Sequence, residues 1–310
     1  YVLQNTVQER AMRVNIIVTT FNRIALTRIC LEKLLATTGP QCAITVVDNA
    51  SSDGTVSYLE TMAARSDRIT LYKLSRNMGV SVAVNLGMAE TDADYHVKVD
   101  NDIEPQRSGW LDDMIAIAES NTSVGVVGYQ LCSWHGTERV KLESGHAFRL
   151  SGACNGGCLL IPRKTHEACG FMNEDYGKYG FEDLDYGNRV ILGGQSIGYM
   201  DDDSAVKHLG ADQEINSDQE RMKAATRTSV LAGEKLYLLN KLLFEQGIRD
   251  RYVTRKYLPR FGSAGISFEL DEAYKPIMKL HQKLLPQFDY ATEGGMVKLD
   301  LSRLKTMPPE

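Results

Sequence analysis

Two carboxylates, Asp100 and Asp102, stand two residues apart where the run Tyr95-His-Val-Lys-Val99 gives way to Asp100-Asn101-Asp102-Ile103. At a point where the chain leaves a strand, both can face one ligand. Hard cations such as Mg2+ and Mn2+ are commonly held by one or two carboxylates together with substrate phosphates. Asp and Asn also suit a solvated turn, so the pair gains meaning only from its neighbours. A second acidic group, Glu182, Asp183 and Asp185, opens a segment of helical spacing. Acidic residues in a first turn complement the helix dipole, but three exceed that need. The loop before them contains Tyr176, Gly177, Tyr179 and Gly180, and so offers flexible backbone and flat faces for a sugar or another ring. A carboxylate at the mouth of such a loop can act as general base toward a hydroxyl. His208, in Val206-Lys207-His208-Leu209-Gly210, follows a strand pattern over residues 195–200. A parallel strand there would deliver it as a ligand to the sheet edge carrying Asp100 and Asp102.

Three further polar groups each follow an apolar run: Thr19-Thr20-Phe21-Asn22-Arg23, Asp48-Asn49 and Arg76-Asn77. Asp48 can accept from a uracil or thymine N–H, Thr19 and Thr20 can border base or ribose, and Arg76 can pair with a phosphate or a base carbonyl. The dinucleotide Gly-x-Gly-x-x-Gly fingerprint and the P-loop pattern are both absent after the first run, which argues against NAD-dependent redox chemistry and ATP hydrolysis.

The elements that would position these groups follow from periodicity. From Arg13 to about residue 130, β-rich runs (Val14–Val18, Ile44–Val47, Ile69–Tyr72, Tyr95–Val99) alternate with helical spacing, including a helix opened by Asp53 and another over Val80–Ala89. That alternation predicts an α/β fold with a mainly parallel central sheet flanked by helices, whose ligands bind beyond the carboxyl ends of the strands. Residues 13–128 are expected to form a nucleotide-sugar-type binding half. Residues 129–216, with long polar and Gly-rich loops, form a second half of the same domain. Residues 217–310 form a helical C-terminal region built on Leu231–Phe244 and Tyr274–Leu285. Residues 1–12 are read as an N-terminal extension or an expression remnant.

Composition bounds the rest. The chain has 310 residues, 24% charged and 43% hydrophobic, with a net charge of -5, as expected of a globular chain and not of a nucleic-acid-coating surface. No run approaches the ~20 apolar residues of a spanning helix. Six scattered cysteines predict reduced thiols in a cytoplasmic protein. Cys154 and Cys158, with Cys132, His135 and His146, lack the paired spacing of a zinc site. Arg249, Arg251, Arg255, Lys256 and Arg260, interleaved with Tyr252 and Tyr257, would suit peripheral contact with an anionic inner membrane face or a phosphorylated acceptor. The competing expectation is a solvated helix face.

As a whole the pattern resembles the inverting glycosyltransferases of family 2, which have the GT-A fold. The resemblance covers about residues 13–210. It is carried by Val14-Asn-Ile-Ile-Val-Thr-Thr-Phe-Asn-Arg23, Val47-Asp-Asn-Ala-Ser-Ser-Asp-Gly-Thr55, Arg76-Asn-Met-Gly79 with Asn85-Leu-Gly87, Asp100-Asn-Asp102, Gly156-Gly-Cys-Leu-Leu-Ile161, Phe181-Glu-Asp183 and Lys207-His208. It implies transfer of a sugar from a nucleotide diphosphate donor, UDP before others, to a saccharide or lipid-linked acceptor with inversion, and no nucleic-acid partner. Carried over, Asp183 is the catalytic base. Glu182, Gly156, Gly157 and Tyr179 face the acceptor. Thr19, Thr20, Phe21, Asn22, Arg23, Asp48, Asn49, Arg76, Asn77, Asn85, Asp100 and Asn101 surround the donor, and Asp102 and His208 ligate Mn2+ or Mg2+. The alternatives are a sugar-1-phosphate nucleotidyltransferase, which resembles proteins with a Gly-rich loop after the first strand, and a non-catalytic sugar or nucleotide binding module, which has no need of a base.

Overall fold

The computed structural model describes residues 12–131, 138–211 and 232–288. The first eleven residues of the expected extension lie outside these, as do Cys132 and His135 of the weak zinc set. Strands β1 (Val14–Thr20), β2 (Cys42–Asp48), β3 (Ile69–Lys73) and β4 (Tyr95–Asp100) are parallel, in the order β3-β2-β1-β4. They are linked by α1 (Ile24–Thr37), α2 (Thr55–Arg65) and α3 (Val80–Ala89). After β5 (Ile103–Pro105) and α4 (Trp110–Ser120), the sheet continues through β6 (Val124–Gly128), β7 (Glu138–Lys141), β8 (Ala147–Ser151), β9 (Cys158–Pro162) and β10 (Ser196–Met200). The full order is β3-β2-β1-β4-β9-β6-β10-β8-β7, with β9 antiparallel to both β4 and β6.

Both faces of the sheet are covered, which is why its central strands read as almost unbroken apolar runs. Val14, Ile16, Val18, Val97 and Val99 join one core with Leu31, Leu34 and Met114 of α1 and α4. Ile17 and Leu159 join a second with Val84 of α3, Cys169 of α5 (Arg163–Cys169), and Tyr186 and Val190 of α6 (Glu182–Leu192). The cap residue of α2 is Gly54 and not Asp53, which sits one position outside the helix as an Asx-type brace: one carboxylate oxygen accepts from Thr55 N at 3.1 Å, and the other from Ile24 N at 3.0 Å.

The C-terminal region contains the two expected helices, α7 over 232–245 and α8 (Lys275–Leu284). Between them is an antiparallel hairpin of β12 (Tyr257–Gly262) and β13 (Gly265–Leu270) that helical spacing did not reveal. Ser75 N donates to Ile266 O at 2.9 Å, which seats the hairpin beside the end of β3. A buried polar network fastens the region to the sheet domain. Arg249 donates to Asp175 at 2.7 Å and to Asn240 and Tyr274; Asn240 reaches Tyr176 at 3.2 Å, and His281 Nε2 lies 2.7 Å from Asn240 Oδ1. Tyr176 donates to Asp185 at 2.6 Å, and Asp185 pairs with Arg189 at 2.7 Å, both buried.

This network corrects the basic-patch expectation. Arg249 is buried against Asp175, Arg260 is paired with Glu269, and Arg255 lies over the Phe171 ring, so the five cations do not form one face. Among the described residues no helix is long and apolar enough to cross a membrane.

Burial pushes His281 down to about 4 from an ordinary 6.5. The folded protein therefore keeps a neutral imidazole while the unfolded chain takes up a proton near pH 6.5, so this contribution is intact above that pH and is lost as pH falls toward 4. Urea unfolding of His281→Gln should show an acid loss between pH 7 and 4.5 smaller than wild type by up to about 3 kcal/mol. Equal losses in the two proteins would remove His281 as the cause.

Candidate active site

Register brings the predicted donor residues to one edge. Thr20 of β1 stands opposite Asp48 of β2, and Thr19 opposite Asp100 of β4. The Asp48 carboxylate is buried and braces two loops: it accepts from Thr20 Oγ1 at 2.9 Å, from Ser51 N at 2.9 Å, and from the Ser51 hydroxyl. Ser51 Oγ in turn accepts from Asn22 N at 2.7 Å, and Asn22 Oδ1 accepts from Ser52 N at 2.8 Å. Asn22, Arg23 and Ala50 adopt positive φ, a costly backbone for non-glycine residues, held here by these cross-links. Phe21 is half-buried at the same rim. Ser51 escaped the sequence reading; its signal is the Asp-x-x-Ser spacing of an Asx-type turn.

Not every predicted donor residue reaches this edge. Asn85 is buried in α3, where its amide donates to Met172 O and Glu174 Oε1 at 2.8 Å and accepts from Met172 N at 2.9 Å. It ties α3 to the segment ahead of α6. The Asn85-Leu-Gly87 motif is thus a packing motif here: Asn15 Nδ2 donates to Gly87 O at 3.1 Å, and a Cβ at Gly87 would meet Ile17 at 2.7 Å. Asn101 is likewise buried and donates to Thr27 Oγ1 at 2.9 Å. Asn49 holds the loop of Arg76-Asn77, accepting from Met78 N at 3.1 Å. Arg76 and Asn77 line a cavity of about 450 Å3 together with Lys178, Lys256 and Tyr257. Gly79, at φ 93°, begins α3 directly beneath the Gly177 carbonyl, where a Cβ would lie 2.1 Å from that oxygen.

His208 arrives by a route other than the one expected. Strand β10 is separated from β4 by β6 and β9, and it does not deliver the residue. A short strand, β11 (Val206–His208), pairs antiparallel with β5 and sets His208 opposite Ile103, while Leu209 N donates to Asp102 O at 2.8 Å. His208 Nε2 then lies 3.3 Å from Asp102 Oδ2, to which Arg23 also donates at 3.0 Å. Burial of Asp102 works against its charge, but the His208 hydrogen bond and the Arg23 charge hold its carboxyl down at about 2; the same bond raises His208. Asp102 Oδ1 is buried with no hydrogen-bond partner. A buried anionic oxygen left without a donor is costly. With an imidazole nitrogen beside it, the set fits a divalent cation completed by phosphate oxygens. No cluster of three His, Cys, Asp or Glu side chains able to hold a metal by themselves is present among the described residues.

On the other side of β4, Asp100 N donates to Gly157 O at 2.9 Å, bringing Gly156 and Gly157 beside the acidic pair. Glu182 and Asp183 open α6 behind Phe181, whose positive φ of 70° is pinned by its ring stacked on Tyr237 of α7 at 5.8 Å. Glu182 is buried, and burial together with Asp183 pushes it up to about 7 despite the facing Lys98. Asp183 is partly exposed and accepts from Leu184 N at 2.8 Å. Tyr179, 64% exposed, stands on the loop leading to this pair.

A mainly parallel sheet covered by helices, with a carboxylate–imidazole pair at one side of a central strand end and an acidic pair at the other, is an α/β architecture of the GT-A type. Residues 15–172, about half of the chain, match Glycosyl transferase family 2, and the protein belongs to that family. Solved structures of other proteins share the fold, two of them as follows. Mannosyltransferase PcManGT from Pyrobaculum calidifontis, in complex with GDP-Man and Mn2+, is 17% identical with a TM-score of 0.55, over 88% of this chain and 69% of that one. GalNAc-T7, with UDP, GalNAc and Mn2+, is 13% identical with a TM-score of 0.53, over 64% and 44%. The uncharacterized protein y4gI of Sinorhizobium fredii is 25% identical over 207 residues, or 58% of this chain, and this chain spans only 23% of its length.

A methyl group on Gly156 would fall 2.8 Å from Asp183 Cβ and 2.9 Å from its Oδ2. Gly156→Ala is therefore expected to lower glycosyl transfer by about 10–100-fold through displacement of Asp183, with nucleoside diphosphate affinity unchanged. Product release and calorimetry check the two halves; an unaltered rate would mean that this peptide does not fix Asp183.

Proposed function

We propose that the protein transfers a hexose-type sugar from a nucleoside diphosphate donor, a UDP-sugar before others, to an acceptor hydroxyl with inversion, in polysaccharide or glycoconjugate synthesis. The observation that carries this reading is the buried, unpartnered Asp102 Oδ1 beside His208, on the same strand end that meets Glu182 and Asp183 through Asp100 and Gly156. The donor lies along the loops of Thr19–Arg23 and Asp48–Ser51, with its sugar toward Asp100. Asp102 and His208 would hold Mn2+ or Mg2+, and a cation bound there would supply positive charge facing the departing diphosphate. The complexes of the two similar structures, GDP-Man with Mn2+ and UDP with Mn2+, support a donor and metal of this class.

The chain's own residues divide the remaining work. Asp183 is the more open of the two adjacent carboxylates and takes the acceptor proton, while Glu182, held near neutrality in its proton affinity, orients the acceptor through a hydrogen bond. In one displacement the acceptor oxygen bonds to the anomeric carbon as the bond from that carbon to the phosphate oxygen breaks, with its electron pair leaving on the diphosphate. Tyr179 supplies a flat face at the entrance. Arg23, paired with Asp102, lies where it can turn to a phosphate oxygen.

A panel of UDP-, GDP- and dTDP-sugars, assayed by nucleoside diphosphate release with and without Mn2+ and by NMR of the product anomer, tests the proposal. One donor should be consumed in a metal-dependent, inverting reaction. Asp183→Asn should cut turnover by about 10²–10⁴-fold while leaving donor affinity near wild type. A retained anomer, or donor affinity lost in step with rate, would contradict it.

A further inference from the structure

Lys98 sits in the middle of β4, between Val97 and Val99, and is 2% exposed. A sheet covered on both faces leads one to expect an apolar residue there, and an ammonium taken out of water costs several kcal/mol unless it is well partnered. Lys98 Nζ donates to Asp100 Oδ1 at 2.6 Å and to the carbonyl of Gly156. The first contact follows from the strand's period of two, which puts Lys98 and Asp100 on one face. The second reaches the peptide against which Asp183 rests, since Gly156 has no room for a Cβ beside that side chain. Burial works against the charge of the ammonium, but Asp100, Glu182 and Asp183 outweigh it and keep the proton on. The same ammonium therefore grips the donor-side carboxylate and the acceptor-side backbone.

We propose that Lys98 is a positioning residue, whose buried ammonium locks Asp100 and the Gly156 peptide into one unit and supplies the positive charge that lets Glu182 and Asp183 stand together beside Asp100. The proposal deepens the glycosyl-transfer reading, in which Asp183 is the base, but its physical core concerns the protein alone. Glu182 is faced by Asp183 on its own helix, by Lys98 and Asp100 from β4, and by Tyr179 from the preceding loop. Removing the cation leaves burial and like charge opposed by a backbone hydrogen bond alone, so its proton affinity must rise.

The test is a carboxyl 13C NMR titration of Asp- and Glu-labelled protein, with Glu182→Gln assigning the Glu182 signal. Lys98→Met should move the Glu182 midpoint up by about one pH unit or more, whereas Lys98→Arg, which keeps the charge, should move it by less than half as much. If Lys98→Met does not fold, Lys98→Gln, which keeps a donor toward Gly156 without the charge, replaces it with the same expected shift. An unmoved midpoint in the folded charge-removing variant, or an equal shift in Lys98→Arg, overturns the proposal. The titration needs no substrate, so failure of the transfer reading would appear separately, as donors left unconsumed by wild type.

Discussion

The buried pairing of Asp185 with Arg189 is the interaction on which the geometry of the site depends. Both side chains are removed from water, and the pair is completed by Tyr176 and Asn173 on the carboxylate and by the carbonyls of Cys169 and Phe171 on the guanidinium. Removing one member of such a pair typically costs about 3–5 kcal/mol, because the other is left charged and alone. Here that cost enforces position. The pair fixes α6 against the segment that precedes it, and the first turn of α6 carries Glu182 and Asp183. Through Tyr176 and Asn240 the same network reaches Asp175 and Arg249, so the C-terminal region is part of the support of the acidic pair.

Charge is distributed at the strand ends so that each carboxylate has a different task. Asp48 is consumed in bracing loops, Asp102 is held ionised by Arg23 and His208 with one oxygen left over, and Glu182 is pushed toward neutrality by burial next to Asp183. Neighbouring acids driven to different protonation states can divide two tasks, one holding a cation and the other offering a hydrogen bond. The cations that set these states, Arg23 and Lys98, come from different elements. They reach Asp102 and Asp100, two residues apart, because β1 and β4 are adjacent and parallel.

Much of this was legible in the sequence because it depends on local pattern. The alternation of Val14–Val18, Ile44–Val47, Ile69–Tyr72 and Tyr95–Val99 with helical spacing reflects burial on both sheet faces, and polar residues just beyond each run fall at one edge by topology. What escaped depends on long-range contact. Nothing near Asn85 announces that its amide is spent on Met172 and Glu174, and nothing in the run Arg249–Arg260 separates the buried Arg249 from the exposed Arg260. His208 follows β10 in sequence yet reaches Asp102 through β11, whose pairing with β5 leaves only three residues of pattern. Lys98 did carry a signal, a charge inside a strand that is otherwise apolar, and only the structure gives it partners.

The central claim is that the end of β4 divides a cation-holding pair from a proton-accepting pair. A crystal structure of the protein with Mn2+ and UDP tests it most directly. The account predicts Mn2+ about 2.0–2.3 Å from Asp102 and His208, with diphosphate oxygens completing its shell, Arg23 drawn off Asp102, and Asp183 left uncoordinated. Manganese bound elsewhere, or coordinated by Asp183, would contradict it.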